Sequence, residues 1–142
     1  IKVYLSAVPT SSDDNDNDND TDSEERSAEL QRKGCLFLGA LADSNPEAAT
    51  LVKDADGLQA ILNAAAWFKY HEPVIQWALW AIFTLCYDHK GNKRALMMTS
   101  TASRSSNVAK ICTMMKDIPY SIEVQRHGMA ILFDVLREIP ES

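Results

Sequence analysis

Residues 73–88, PVIQWALWAIFTLCYD, are apolar at almost every position and constrain the fold more than any other part of the chain. A helix that is apolar all round must be covered on all sides, whereas a surface helix shows one apolar stripe. The run is shorter than the roughly 18 apolar residues of a membrane span, and Glu72, Asp88 and Lys90 flank it. The stretch therefore predicts a buried central helix with other helices packed around it.

Charge is distributed unevenly along the 142 residues. Residues 13–25 hold eight acids and no base, so the net charge of −6 becomes +2 over the rest of the chain. Residues 10–23, TSSDDNDNDNDTDS, contain no apolar side chain and predict a disordered acidic loop. A nearly neutral body and a pI near 5 argue against nucleic acid as a partner, which requires clustered Lys and Arg. No membrane partner is predicted either.

Serine and threonine residues inside the acidic loop suggest a further hypothesis. Ser11, Ser12, Thr21 and Ser23 lie beside acids, and phosphorylation would add roughly −1.5 to −2 charge at each. The loop would then compete with an acidic partner for bases such as Lys90, Lys93 and Arg94. The alternative is a solvated insertion with no such role.

The three cysteines, Cys35, Cys86 and Cys112, are odd in number and lack paired short spacing. Each lies in an apolar helical pattern, where cysteine behaves as a small hydrophobic residue. This usage predicts reduced core thiols in a cytoplasmic or nuclear protein.

Helical periodicity follows the acidic segment and is interrupted at regular places. Asn45 is a favourable N-cap, Pro46 suits the first helical position, and Pro73 marks another helix start. Residues 1–9 are interpreted as the end of a preceding repeat helix. The predicted helices span residues 24–42, 46–55, 58–69, 73–88, 92–99, 107–118 and 121–138.

The sequence also contains a repeat. Gly34-Cys35-Leu36-Phe37-Leu38 aligns with Ala78-Leu79-Trp80-Ala81-Ile82, 44 residues later, and with Gly128-Met129-Ala130-Ile131-Leu132, 50 residues after that. One short helix and two longer ones with a period of about 40 to 47 residues resemble armadillo repeats. The resemblance covers residues 24–142, as the third helix of one repeat and two full repeats at about 45–88 and 89–139.

The armadillo resemblance implies an all-α fold, a right-handed α-solenoid whose third helices line a concave groove. It implies a non-catalytic scaffold that binds a protein or an extended peptide there, with the rest of a longer repeat chain as another partner. Large aromatic side chains dominate such contacts. The candidate groove residues are Trp80, Thr84, Trp77, Gln76, Asp134 and Arg126.

An importin-alpha-like nuclear transport adaptor is the alternative function. Trp80 matches the tryptophan that this branch uses to clamp basic peptides, but Thr84 stands where the asparagine would be. The other two copies of the repeat differ more from the importin-alpha pattern. At the positions equivalent to Trp80 and Thr84, the first copy has Leu36 and Ala40, and the last copy has Ala130 and Asp134. Trp80 is therefore either a groove anchor or a packed core side chain.

An enzyme is the least favoured class. His71-Glu72 begins like a zinc-protease motif, but Ile75 stands where the second histidine would be. Cys86, Asp88 and His89 lack the surroundings of a nucleophile, and His127 with Glu123 is a simple helical pair. No catalytic, cofactor-binding or metal-binding residue is predicted.

Overall fold

A computed structural model describes residues 17–99 and 105–138, with side-chain surroundings given from Asp20 onward. Within these ranges the protein has seven helices and one isolated bridge, so the all-α prediction is confirmed. Residues 1–9, most of the predicted loop, the spacer centre and the last four residues lie outside the described part. The helices are α1 (Asn17–Ala42), α2 (Pro46–Asp54), α3 (Gly57–Trp67), α4 (Glu72–Cys86), α5 (Lys90–Met97), α6 (Asn107–Asp117) and α7 (Ile122–Leu136).

Local side chains start the helices where the sequence predicts starts. The Asn45 side chain accepts a hydrogen bond from Ala48 N at 3.1 Å, which satisfies one of the free amides at the start of α2. Two histidines do the same, although this was not predicted: His71 caps α4 and His89 caps α5. His89 also contacts Thr50 through Nε2 at 2.8 Å and so joins α5 to α2.

Helix α4 is the centre of the protein. It has its most extensive contacts with α1, and then with α7 and α3. Leu79, Ile82 and Leu85 are fully buried in one continuous core cluster. The prediction that this helix is covered on all sides is wrong along one stripe, where Trp77, Trp80 and Phe83 are only partly buried.

The helices α2–α3–α4 recur as α5–α6–α7. Helices α3 and α6 are both 11 residues long and begin 50 residues apart, and α4 and α7 are both 15 residues long with the same offset. Helices α2 and α5 begin 44 residues apart, so the six extra residues fall in the spacer. Thr99 and Ser106 form an antiparallel bridge across that spacer.

Helix α1 begins earlier than the sequence indicated. The composition of residues 17–23 predicts a disordered acidic loop, but in the structure they form the first turns of α1. Acidic side chains such as Asp20 and Asp22 are favourable near the positive end of a helix, an effect that depends on position and not on composition. Thr21 and Ser23 therefore lie on a helix rather than in a loop.

A candidate partner-binding surface along helix α4

The incompletely buried side chains of α4 form a single stripe. Helical positions three and four apart share a face, so these residues align along the helix axis. Four of them are aromatic and are called here the aromatic ridge: Trp77, Trp80, Phe83 and Tyr87. The complete stripe is Pro73, Gln76, Trp77, Trp80, Phe83, Thr84 and Tyr87.

Rings of the aromatic ridge contact each other in pairs. Trp77 and Trp80 meet edge to face, with centroids 5.5 Å apart at 81°. Phe83 and Tyr87 are 5.6 Å apart with a tilt of 48°. Such pairs limit ring motion, so the ridge presents a largely preorganised apolar surface.

Trp80 leans onto α1. A Cβ placed at Gly39 would lie 2.8 Å from Cε3 of Trp80, so the indole packs directly on the backbone of α1. Trp80 remains partly exposed and is also packed against the core cluster. One part of the ring is therefore packed in the core, and the rest is open to solvent.

A recess of about 580 Å³ lies at the C-terminal end of the ridge. Asp43 and Asp88 follow the C-termini of α1 and α4. The C-terminal end of each helix carries a partial negative charge, which adds to the negative charge of these carboxylates. Among the described residues neither carboxylate has an ion-pair partner. This acidic recess is lined by Ala42, Asp43, Ser44, Asn45, Pro46, Ala49, Phe83, Thr84, Tyr87 and Asp88.

The same backbone conformation occurs on both sides of the recess. Ser44 and Asp88, 44 residues apart, both have positive φ, at 54° and 51°. Each follows the end of a long helix, where a left-handed residue turns the chain sharply. The repeat thus places two matching turns on either side of one opening.

The remaining predicted groove residues have mixed surroundings. Thr84 lines the recess and donates its hydroxyl to the Ala81 carbonyl at 3.0 Å. Gln76 is partly buried on the same stripe. Arg126 lies on α7, is exposed, and pairs with Glu123 at 3.0 Å.

Asp134 does not line an open groove, contrary to the prediction from the sequence. Its side chain is only 7% exposed and lies 3.2 Å from the ammonium of Lys93 on α5. Lys93 also binds Glu138 at 3.1 Å, and its own side chain is 4% exposed. Asp134 therefore joins α7 to α5 inside the protein, and Lys93 is not accessible to a competing acidic loop.

Burial dominates the surroundings of two cysteines and of His127. Burial raises the pKa of the Cys35 and Cys86 thiols to about 12, so neither forms a thiolate near neutral pH. Glu123 lies 3.7 Å from His127, whose pKa is lowered mainly by burial. In the described ranges no three His, Cys, Asp or Glu side chains cluster as a metal site would need. None of the helices described is long and apolar enough to cross a membrane.

Sequence reasoning missed the acidic recess. Phe83 and Tyr87 were visible as the continuation of the three- and four-residue spacing from Trp77 and Trp80. Asp43 gave no comparable signal, because its proximity to Asp88 depends on how α1 packs beside α4.

No protein-family model, curated protein or solved structure matches this chain significantly. The armadillo resemblance therefore rests on the sequence repeat and on the recurring helix order.

Proposed function

We propose that this protein is a non-catalytic interaction scaffold of the armadillo type that binds an extended peptide segment along α4. The observation that carries the proposal is the aromatic ridge, which stays partly exposed on a helix whose other faces are buried. A helix this apolar would be expected to cover its aromatic rings unless another chain does so. Helix α1 borders the ridge at Gly39 and would form one side of the binding surface.

The acidic recess defines the chemistry of the partner. Two unpaired carboxylates, two helix C-termini and the rings of Phe83 and Tyr87 all favour a cation. A lysine or arginine of the peptide would enter the recess while neighbouring apolar side chains lie on Trp77 and Trp80. An importin-alpha-like adaptor is the second candidate, favoured by the partly exposed Trp80, which lies one helical turn before Thr84. Thr84 offers no side-chain amide for clamping a peptide backbone.

The test is selection from a display library of random peptides on the immobilised protein, followed by affinity measurement of the enriched sequences. We expect enrichment of peptides that combine a basic residue with an aromatic or aliphatic one. Tyr87→Ser should weaken their binding at least about tenfold, a typical loss for an interface aromatic. Tyr70→Ser is the matched control, because Tyr70 is similarly exposed, at 67%, but lies outside the ridge and the recess.

The recess is tested separately with Asp88→Asn, which removes a charge at a left-handed position that asparagine tolerates. Asp56→Asn is its control, since Asp56 also has positive φ, at 59°, and lies away from the recess. The proposal predicts that only Asp88→Asn reduces the preference for basic peptides. Equal affinity of all four variants for every selected peptide would overturn it.

A further inference from the structure

Helix α4 is buried on two faces that point to different neighbours. The front face consists of Val74, Ala78, Ala81 and Leu85, and the rear face of Ile75, Leu79, Ile82 and Cys86; all eight are at most 1% exposed.

Contacts assign each face to a neighbouring long helix. On the front face, Val74 clusters with Ala28 of α1, and Ala81 lies against Gly39 of α1. On the rear side, Glu72 accepts a hydrogen bond from Ser121, the cap of α7, at 2.8 Å. Thus α1 covers the front of α4, and α7 covers the rear.

Helix α1 has the same two faces, but the described part of the chain covers only one of them. Positions 44 residues before the rear face of α4 are Gln31, Cys35, Leu38 and Ala42, all at most 4% exposed. Positions 44 residues before the front face include Leu30, Phe37 and Leu41, which are 54%, 61% and 43% exposed. These three residues are called the α1 end face.

Helix α7 shows the opposite arrangement. Its front-face equivalents, 50 residues after those of α4, include Val124, Ile131 and Val135, and these are at most 5% exposed. Its rear-face equivalents include Met129 and Leu136, which are 59% and 64% exposed, and Ile122 extends this face at 73%. Ile122, Met129 and Leu136 are called the α7 end face.

We propose that a second copy of this chain covers these faces by head-to-tail association, with the α7 end face of one copy on the α1 end face of the next. The rear-to-front packing of long helices occurs twice inside the chain, between α1 and α4 and between α4 and α7. Each end face is the unpaired half of that interface, and its complement lies at the other end of the same chain. Such a contact is heterologous, because it joins two different surfaces of the chain. Each added copy leaves one face free, so the assembly continues beyond a dimer instead of closing as a symmetric one.

The experiment measures molar mass by sedimentation velocity over a range of protein concentrations. The mass of the wild-type protein should rise with concentration and pass that of a dimer. Phe37→Glu on the α1 end face and Met129→Glu on the α7 end face should each leave a monomer. Leu51→Glu is the control, because Leu51 is 69% exposed on α2 and belongs to neither end face, so this variant should associate like the wild type.

Mixing the two end-face variants gives the decisive result. Each retains the face that the other has lost, so an equimolar mixture should form a one-to-one dimer and nothing larger. A wild-type protein that stays monomeric at every concentration would overturn the proposal and indicate another cover, such as residues 1–8 or a different protein. Association of either variant alone would indicate a symmetric contact and would also overturn it.

Circular dichroism of each variant checks that the fold is retained. Should a variant unfold, Leu41→Gln on the α1 end face and Leu136→Glu on the α7 end face replace it, with the same expectations.

Discussion

The backbone of Gly39 lies directly under the indole ring of Trp80. A Cβ at position 39 would be 3.0 Å from Ala81 Cα and 2.8 Å from Trp80 Cε3, so only glycine allows α1 and α4 to approach this closely. The contact fixes Trp80, one of the four aromatic residues of the ridge, against a neighbouring helix. It also makes the binding surface depend on the packing of the core.

Gly39→Ala should destabilise the protein although alanine is the better helix former. The intrinsic gain of about 1 kcal/mol is opposed by overpacking of about 1 to 3 kcal/mol, since neither the indole nor the α4 backbone can shift freely. Urea unfolding followed by circular dichroism measures the net change.

As a control, Gly39→Ala is also introduced into the Trp80→Leu variant, which lacks the indole ring. There Gly39→Ala should cost clearly less than in the wild type. An equal cost in both backgrounds would show that the α4 backbone, and not the ring, limits the space at Gly39.

The buried pair Lys93–Asp134 gives a second prediction. Lys93→Met would leave the Asp134 carboxylate buried, with its Oδ2 already lacking a hydrogen-bond partner. Loss of one member of a buried pair costs about 3 to 5 kcal/mol, and the free energy of unfolding should fall by that order. The double variant Lys93→Met/Asp134→Leu should recover much of the loss, because no unpaired charge remains buried. Strictly additive losses would contradict this account.

The cysteines should differ sharply in reactivity. Cys112 is exposed, while Cys35 and Cys86 are buried and their pKa is raised to about 12. A thiol reagent should therefore label one cysteine rapidly in the native protein and the other two only in denaturant. Cys112→Ser should abolish the rapid phase, and a rapid phase persisting in that variant would show that a core thiol is accessible.

Stability should fall in mild acid partly through His127. Burial lowers the pKa of its ring, Arg126 adds to the effect, and Glu123 opposes it. The unfolded chain therefore takes up this proton at higher pH than the folded protein, so stability is lost as pH falls through the ordinary histidine pKa of about 6.5. The loss is complete once the pH is below the lowered folded value.

His127→Gln is the variant that isolates this contribution. Between about pH 7.5 and about pH 5.5 the midpoint of urea unfolding should decrease less in the variant than in the wild type. His71 and His89 are present in both proteins, so their effects cancel in the comparison. Identical decreases would assign the pH dependence to other groups.

The helices themselves follow from local sequence signals. Asn45 and Pro46 start α2 where predicted, and the apolar run at residues 73–88 becomes the central helix. The disorder predicted for residues 17–23 is wrong, because low apolar content does not prevent acids from stabilising the start of a helix that is packed further along.

By itself the sequence determined the all-α class, the order of the helices and the 44- and 50-residue spacing of the three long ones. These depend on periodicity, caps and turns, which act within a few residues. Only the tertiary structure decided that Asp134 points inward to Lys93, that Asp43 and Asp88 share one recess, and that the front face of α1 and the rear face of α7 stay exposed. Each of these depends on which side of a helix meets a neighbour from a distant part of the chain, and periodicity alone does not specify that.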